Sequence, residues 1–210
     1  MCLSGTSYPE VLAAPVPPPA TEHGSTGDKW RPRLPVKVYD YAQVPSSVIG
    51  PAEREAGRIL IEAGINLNWL TCRVASSQEP IAPACQEGGR RGLILRIAPH
   101  GAGSLGSLAL GFTQPDPGGA AYVTILYSRV RELVRNHVAS EHKILGHAIA
   151  HEIGHALLNS RTHSATGLMR AQWSASDWRL ADVEQLRFSR QEAAAMRSEV
   201  VRRAELELPH

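Results

Sequence analysis

The feature that most constrains this 210-residue chain is the segment His151-Glu152-Ile153-Gly154-His155. It lies in a proline-free stretch in which Ile144, Leu145, Ala148 and Ile149 recur at helical spacing, so the pattern predicts a helix over 141–158. Positions i and i+4 of a helix share a face, with Cβ atoms about 5–6 Å apart. Two imidazoles at that spacing can reach one metal ion. Glu152, next to the first imidazole, points close to the same face, where it can hold a metal-bound water rather than ligate the metal itself. The bare pattern also arises in helices whose histidines are merely packed, so its weight comes from the residues on its C-terminal side.

Asn159 suits a left-handed helix C-cap, second only to glycine. A helix ending there lets the chain turn back and bring His163 toward the metal. That completes a three-nitrogen site and leaves one position open for water or substrate. Ala165-Thr166-Gly167-Leu168-Met169 then reads as a tight turn that places Met169 beneath the ligands as a polarizable apolar floor; ordinary core is the plainer reading. His147, one turn before His151, is either a further ligand or supporting partner, or a histidine packed between helix and sheet, and the packed reading is the expectation. His100, His137 and His142 have no spacing argument and are expected at the surface.

Upstream, 36–41 alternates and is rich in β-formers, which predicts a strand. A helix is expected to start around Pro51, a residue tolerated in a first turn, and to stop at Gly64. Further strands are expected around 65–69, at 93–98, from Leu108 to Thr113 and from Tyr122 to Tyr127, with a helical stretch over roughly 128–138. The early strand–helix–strand order implies a parallel pair. Beyond an irregular segment, Ser189 and Glu192 make a capping box for a last helix carrying Ala193, Met196, Val200 and Ala204 on one side. The expected class is therefore α/β (α+β), with at least one parallel strand pair.

Composition narrows the partners. Lys+Arg is 22 against 20 for Asp+Glu, a balance that gives no footprint for nucleic acid. No stretch approaches the roughly 20 apolar residues that span a bilayer. Residues 1–35 are proline-rich and lack apolar periodicity, so they are expected to be a disordered leader ahead of a domain over 36–210, divided into 36–158 and 159–210. The run Val11-Leu12-Ala13-Ala14 is too short and too interrupted to read as a clear signal peptide.

From His151 to Met169 the residues resemble the metzincin clan of zinc metallopeptidases, and matrixins most of all. The resemblance rests on the HExxH segment, the chain reversal, the third His and a Gly-Leu-Met similar to a Met-turn. It implies a Zn2+ site formed by His151, His155 and His163, with Glu152 as general base for a metal-activated water and Met169 as the Met-turn residue. It further implies a twisted, mostly parallel sheet with an antiparallel edge strand and a small helical C-terminal lobe, and a monomeric endopeptidase whose peptide or protein substrate lies along that edge strand at Leu108, Leu110 and Gly111. The chain departs from the clan where Leu158 and Arg161 replace its Gly and third His, which Asn159 and His163 supply one and two residues later. Met169 nevertheless follows His155 by fourteen residues, the matrixin spacing. Arg170 stands where matrixins have Pro-Tyr, so their pocket wall does not transfer; Trp173 and Trp178 either line that wall or, as expected, pack the C-terminal lobe.

Two other readings compete. A gluzincin-type hydrolase would take Glu184, or next Glu192, as third ligand, and a zinc-stabilised binding module would use the same histidines without chemistry. The intact Glu152 argues against the module. Latency through a tail carrying Cys2 and His23 finds no recognisable inhibitory motif. Cys72 and Cys85 are either reduced thiols or a disulfide, which would stabilise by roughly 3 kcal/mol and point to export to a periplasmic or secreted location.

Overall fold

The structure, a computed structural model, describes residues 33–72, 85, 92–101, 109–115, 120–136 and 138–205. Strand β1 is Arg33–Asp40, three residues longer at its start than the sequence pattern implied. Leu34, Val36 and Val38 alternate into the core. Pro35 fits because the ladder to β3 begins only at Val36, so its missing N–H is tolerated there. The rest of the leader, with Cys2 and His23, lies outside the described residues.

After β1 the Asp40 carboxylate accepts the N–H groups of Ala42 (3.1 Å) and Val44 (2.7 Å) and turns the chain into α1, Ser46–Glu62. The helix therefore starts five residues before Pro51, which lies inside it rather than in its first turn. Val48 and Ile49 anchor the start on the Pro45 carbonyl. The bond Pro51 cannot make is the one to the Ser47 carbonyl, at an exposed residue where water replaces the donor. Gly64, at φ +81°, ends the helix, and Ile65 donates back to the Leu60 carbonyl (2.8 Å).

Strands β2 (Asn66–Cys72), β3 (Leu93–Ala98), β4 (Gly111–Pro115) and β5 (Ala121–Leu126) complete a five-stranded sheet in the order β2-β1-β3-β5-β4. All neighbours are parallel except β4 with β5, which pair antiparallel at the edge. This is the mostly parallel sheet with one antiparallel edge that the resemblance implied. The last two strands are offset from the expected bounds: β4 starts at Gly111 rather than Leu108, which lies outside the described residues. β5 ends at Leu126 because Tyr127 already opens α2, Tyr127–Arg135, where its hydroxyl donates to Glu141 (2.7 Å). Cys72, closing β2, is bonded to Cys85.

Helix α3, Glu141–Leu158, is the centre of the molecule, and every residue from Ile144 to Leu157 is buried. An apolar surface on all sides is the mark of a helix enclosed by other elements. Here those are α1, the sheet edge, α2 and the last helix, α5 (Arg190–Glu205). Between them α4, Ala175–Asp182, occupies what the pattern left as irregular. It is held by a reciprocal cap in which Ser174 and Asp177 exchange backbone and side-chain bonds. The box was missed because aspartate, not Glu or Gln, sits at its third position. The Ser189–Glu192 box at the start of α5 is present. Among the described residues no helix is long and apolar enough to cross a membrane.

Where α3 crosses α1, Gly146 leaves no room for a side chain. A Cβ there would stand 2.9 Å from the Ala52 carbonyl oxygen and 2.8 Å from Glu55 Cβ. Gly146→Ala should therefore destabilise the protein by about 1–3 kcal/mol through overpacking, despite alanine's better helix propensity. A thermal melt at or above the parental midpoint would refute that.

Candidate metal centre

Two of the three imidazoles stand one turn apart on α3, and the loop after it aims both. The Nδ1 of His151 lies 2.8 Å from the Leu168 carbonyl oxygen, and that of His155 lies 2.7 Å from the Ser160 carbonyl oxygen. A carbonyl only accepts, so each Nδ1 carries the proton and donates. In the neutral ring Nε2 is then a bare acceptor. Neutrality is favoured: burial lowers the His151 pKa to about 4, against the pull of the Leu168 bond and with help from the neighbouring imidazoles. Burial, aided by His163, also lowers that of His155.

These two bare nitrogens face each other and the Nε2 of His163. His155 Nε2 lies 3.1 Å from His151 Nε2 and 3.2 Å from His163 Nε2, and all three ligand atoms fall within 4.8 Å of each other. Metal–nitrogen bonds of about 2.0–2.1 Å in tetrahedral geometry put nitrogens roughly 3.3 Å apart. The two spacings through His155 match that geometry, and the protonation of His151 and His155 suits a divalent cation.

The reversal that delivers His163 is readable atom by atom. Asn159 adopts φ 47°, ψ 40°, the left-handed cap, and its N–H returns to the His155 carbonyl. Ser160 and Thr162 join through their hydroxyls (2.7 Å), and Thr162 N–H donates to Ser160 Oγ (3.1 Å), which takes up the two extra residues. Gly167, at φ +77°, makes the next turn, closed by Arg170 N–H on its carbonyl (3.2 Å). Ser164 N–H donates to the Met169 carbonyl (2.8 Å), and the Ser164 hydroxyl donates to Glu192.

Met169, almost wholly buried, packs under the helix at Gly154. A Cβ at Gly154 would stand 2.7 Å from Met169 Sδ and 2.7 Å from Phe188 Cε1. The glycine within the HExxH segment is thus the contact through which the methionine reaches the underside of α3. Trp173, for which packing in the lobe was expected over a place in the pocket wall, lines the cleft beside the site. Its Nε1–H also donates to the Leu168 carbonyl (3.0 Å), the same oxygen that aims His151, and its ring lies edge-on to His151 at 5.5 Å. No spacing rule marks such a residue. Trp178 is buried against Trp173 at 5.2 Å.

Glu152 is buried beside the first imidazole. The Thr113 hydroxyl lies 3.0 Å from Glu152 Oε2 and 2.8 Å from the Glu152 backbone carbonyl oxygen. Burial pushes its carboxyl up to about 7, and the Thr113 bond pulls the other way. Gly111 makes room for it: a Cβ there would stand 2.9 Å from Glu152 Cγ and 2.5 Å from the Thr124 carbonyl oxygen. Leu110 and Gly111, the described members of the expected substrate strand, both line a cleft of about 1000 Å³ that also contains the three imidazoles and Glu152.

Other candidates lie elsewhere. His147 is fully buried, bonded through Nδ1 to the Lys143 carbonyl (2.9 Å) and set edge-on to Trp173 and Trp178. It packs against the C-terminal lobe and α1 rather than the sheet, and is not among the converging ligands. Glu184 is exposed, with its carboxylate 3.8 Å from Arg58, and Glu192 is engaged by Ser164 and the Ser189 N–H. Neither joins the imidazoles, so the geometry does not bring together the gluzincin-type ligand set.

No protein-family model and no curated protein matches the chain. Among solved structures it is similar to a zinc-dependent peptidase from Methanocorpusculum labreanum, at 14% identity and TM-score 0.47, over 77% of this chain and 99% of that one. It is also similar to an archaemetzincin from Methanopyrus kandleri, at 17% identity and TM-score 0.47, over 80% and 96%. Likeness at that level is one of outline, and what the site can do rests on its own residues.

Because Glu152 titrates from 4.5 up to about 7 on folding, the folded chain holds that proton more tightly than the unfolded one. Its contribution to stability is full below pH 4.5 and is lost as pH rises through about 7. In the metal-free protein, the stability of Glu152→Gln relative to the parent should therefore rise by about 3 kcal/mol across that window, at about 1.4 kcal/mol per pH unit. Denaturant titrations at both ends test this, and a pH-independent difference contradicts it.

Proposed function

We propose that the chain is a zinc-dependent endopeptidase. The observation that carries this reading is the convergence of three Nε2 atoms, two with their other nitrogen tied to a backbone carbonyl, beside a buried carboxylate in an open cleft. His151, His155 and His163 would hold the metal, and Met169 would be the apolar floor beneath them. Zinc bound there would supply Lewis acidity, bringing water's pKa toward neutral and polarising a carbonyl.

Glu152 is the chain's own acid–base group. It takes a proton from water onto its carboxylate and passes it to the departing amine nitrogen, and a carboxyl whose burial favours the protonated form suits both halves of that exchange. Thr113 holds the carboxylate in place while Gly111 keeps the space above it clear. An extended peptide adds to the edge of β4, where Leu110 and Gly111 line the cleft. The domain would span 36–210 with β1 reaching back to Arg33, act as a monomer, and be exported, since the Cys72–Cys85 bond suits an oxidising compartment.

Metal analysis and peptide hydrolysis test the reading together. The parent should carry one zinc and His163→Ala should lose it, while Glu184→Ala should keep it. Glu152→Ala should retain zinc and lose hydrolysis by about 10²-fold or more. Parental hydrolysis by Glu152→Ala would refute the mechanism. A zinc-loaded parent that cleaves no peptide would favour the binding module.

A further inference from the structure

The two walls of the cleft differ in charge. The β4 side, from Ala109 to Pro115, carries no ionisable side chain. The rest of the lining carries four arginines, Arg161, Arg170, Arg202 and Arg203, and besides Glu152 it holds one carboxylate, Glu199. Glu199 is shared: Arg202 binds it through Nε and Nη2 at 2.7 Å each, and Arg203 Nε binds the same Oε1 at 2.7 Å. Arg203 is buried and also donates to the Ala156 carbonyl at the end of α3. Arg170, which follows Met169, reaches Asp177 Oδ2 at 2.9 Å but is 38% exposed. Arg161, in the reversal between His155 and His163, is exposed and forms no ion pair among the described residues. Against these four guanidinium groups stand Glu199, Glu152 and, outside the lining, Asp177, which leaves a small positive excess at the cleft. A divalent cation at the imidazoles would add to it, and apolar walls focus such a field.

We infer that the cleft selects peptides bearing a carboxylate close to the scissile bond, recognised by the guanidinium groups of Arg161 and Arg170. The inference rests on the peptidase reading and names its substrate class. Guanidinium matches carboxylate in planar, two-bonded geometry, and neutral amides of the same shape forgo the charge. The carboxylate has two sources, an aspartate or glutamate side chain or the peptide's own terminus. A field of this kind weakens with salt, because exposed charges are screened over about 10 Å at 0.1 M.

The test uses full-length zinc-loaded protein and matched fluorogenic peptides. One arm compares Asp or Glu with Asn or Gln beside the scissile bond in C-terminally amidated peptides. The other compares free and amidated termini in otherwise neutral peptides. At least one arm should show a preference of tenfold or more in kcat/KM for the carboxylate, shrinking at high salt, and that arm identifies the source. Arg161→Gln, an exposed change, should cut the preference at least threefold, whether or not Arg170→Gln folds. Fluorescence anisotropy of the same peptides on zinc-loaded Glu152→Ala reads the selection without turnover. Equal binding of charged and neutral peptides overturns the inference even if hydrolysis is brisk. Selective binding with no hydrolysis by the parent upholds it and rejects the peptidase reading instead.

Discussion

Two hydrogen bonds from imidazole Nδ1–H to backbone carbonyls, His155 to Ser160 and His151 to Leu168, organise the structure around the site. They decide which nitrogen of each ring stays bare, and hence whether the cluster can take a cation at all. Each carbonyl comes from a different turn of the segment after α3. The Asn159 reversal supplies the first and then carries His163 inward. The Gly167 turn supplies the second and carries Met169 beneath the helix. The second carbonyl accepts from Trp173 as well, so the two donors together fix one oxygen. In this chain the C-terminal lobe serves to present carbonyls, one imidazole and a sulfur to a helix that is already complete.

That helix is approached closely from several sides, and the approach depends on missing side chains. Gly146 lets α1 come against α3, Gly154 lets the Met169 sulfur and the Phe188 ring come beneath it, and Gly111 lets the edge strand come over Glu152. A glycine inside a helix costs about 1 kcal/mol relative to alanine. Two such positions in one helix are tolerable because nearly all of α3 is buried, and burial contributes roughly 25 cal/mol for each Å² of apolar surface. The close approach of β4 also puts Thr113 on the Glu152 carboxylate, so the packing that stabilises α3 fixes the group beside the imidazoles.

What the sequence made legible was local and periodic. The helix over 141–158, the strand over 93–98, the Asn159 cap and the Ser189–Glu192 box each depend on residues within a few positions of one another, and the structure has them. The parallel pairing of the first strands followed from element order, and the antiparallel edge from the family resemblance. What stayed hidden depends on contacts between distant segments. Pro51 looked like a helix start because its ring suits a first turn, but the Asp40 turn and the Pro45 carbonyl had already begun the helix. Helix α4 was obscured by an aspartate in its capping box. The second bond on the Leu168 carbonyl and the packing at Gly154 involve residues that no spacing rule links. His163 itself was placed by chemistry rather than by clan spacing, since the Ser160–Thr162 hydroxyl contact absorbs the slip.

The central claim is that the Nε2 atoms of His151, His155 and His163 form one ligand set. Zinc K-edge X-ray absorption of the stoichiometrically loaded protein tests it most directly. The account predicts a four-coordinate shell of three imidazole nitrogens and a single oxygen at about 2.0–2.1 Å, with outer-shell scattering from three rings. A shell with two imidazoles, or one completed by carboxylate oxygens or sulfur, would contradict it.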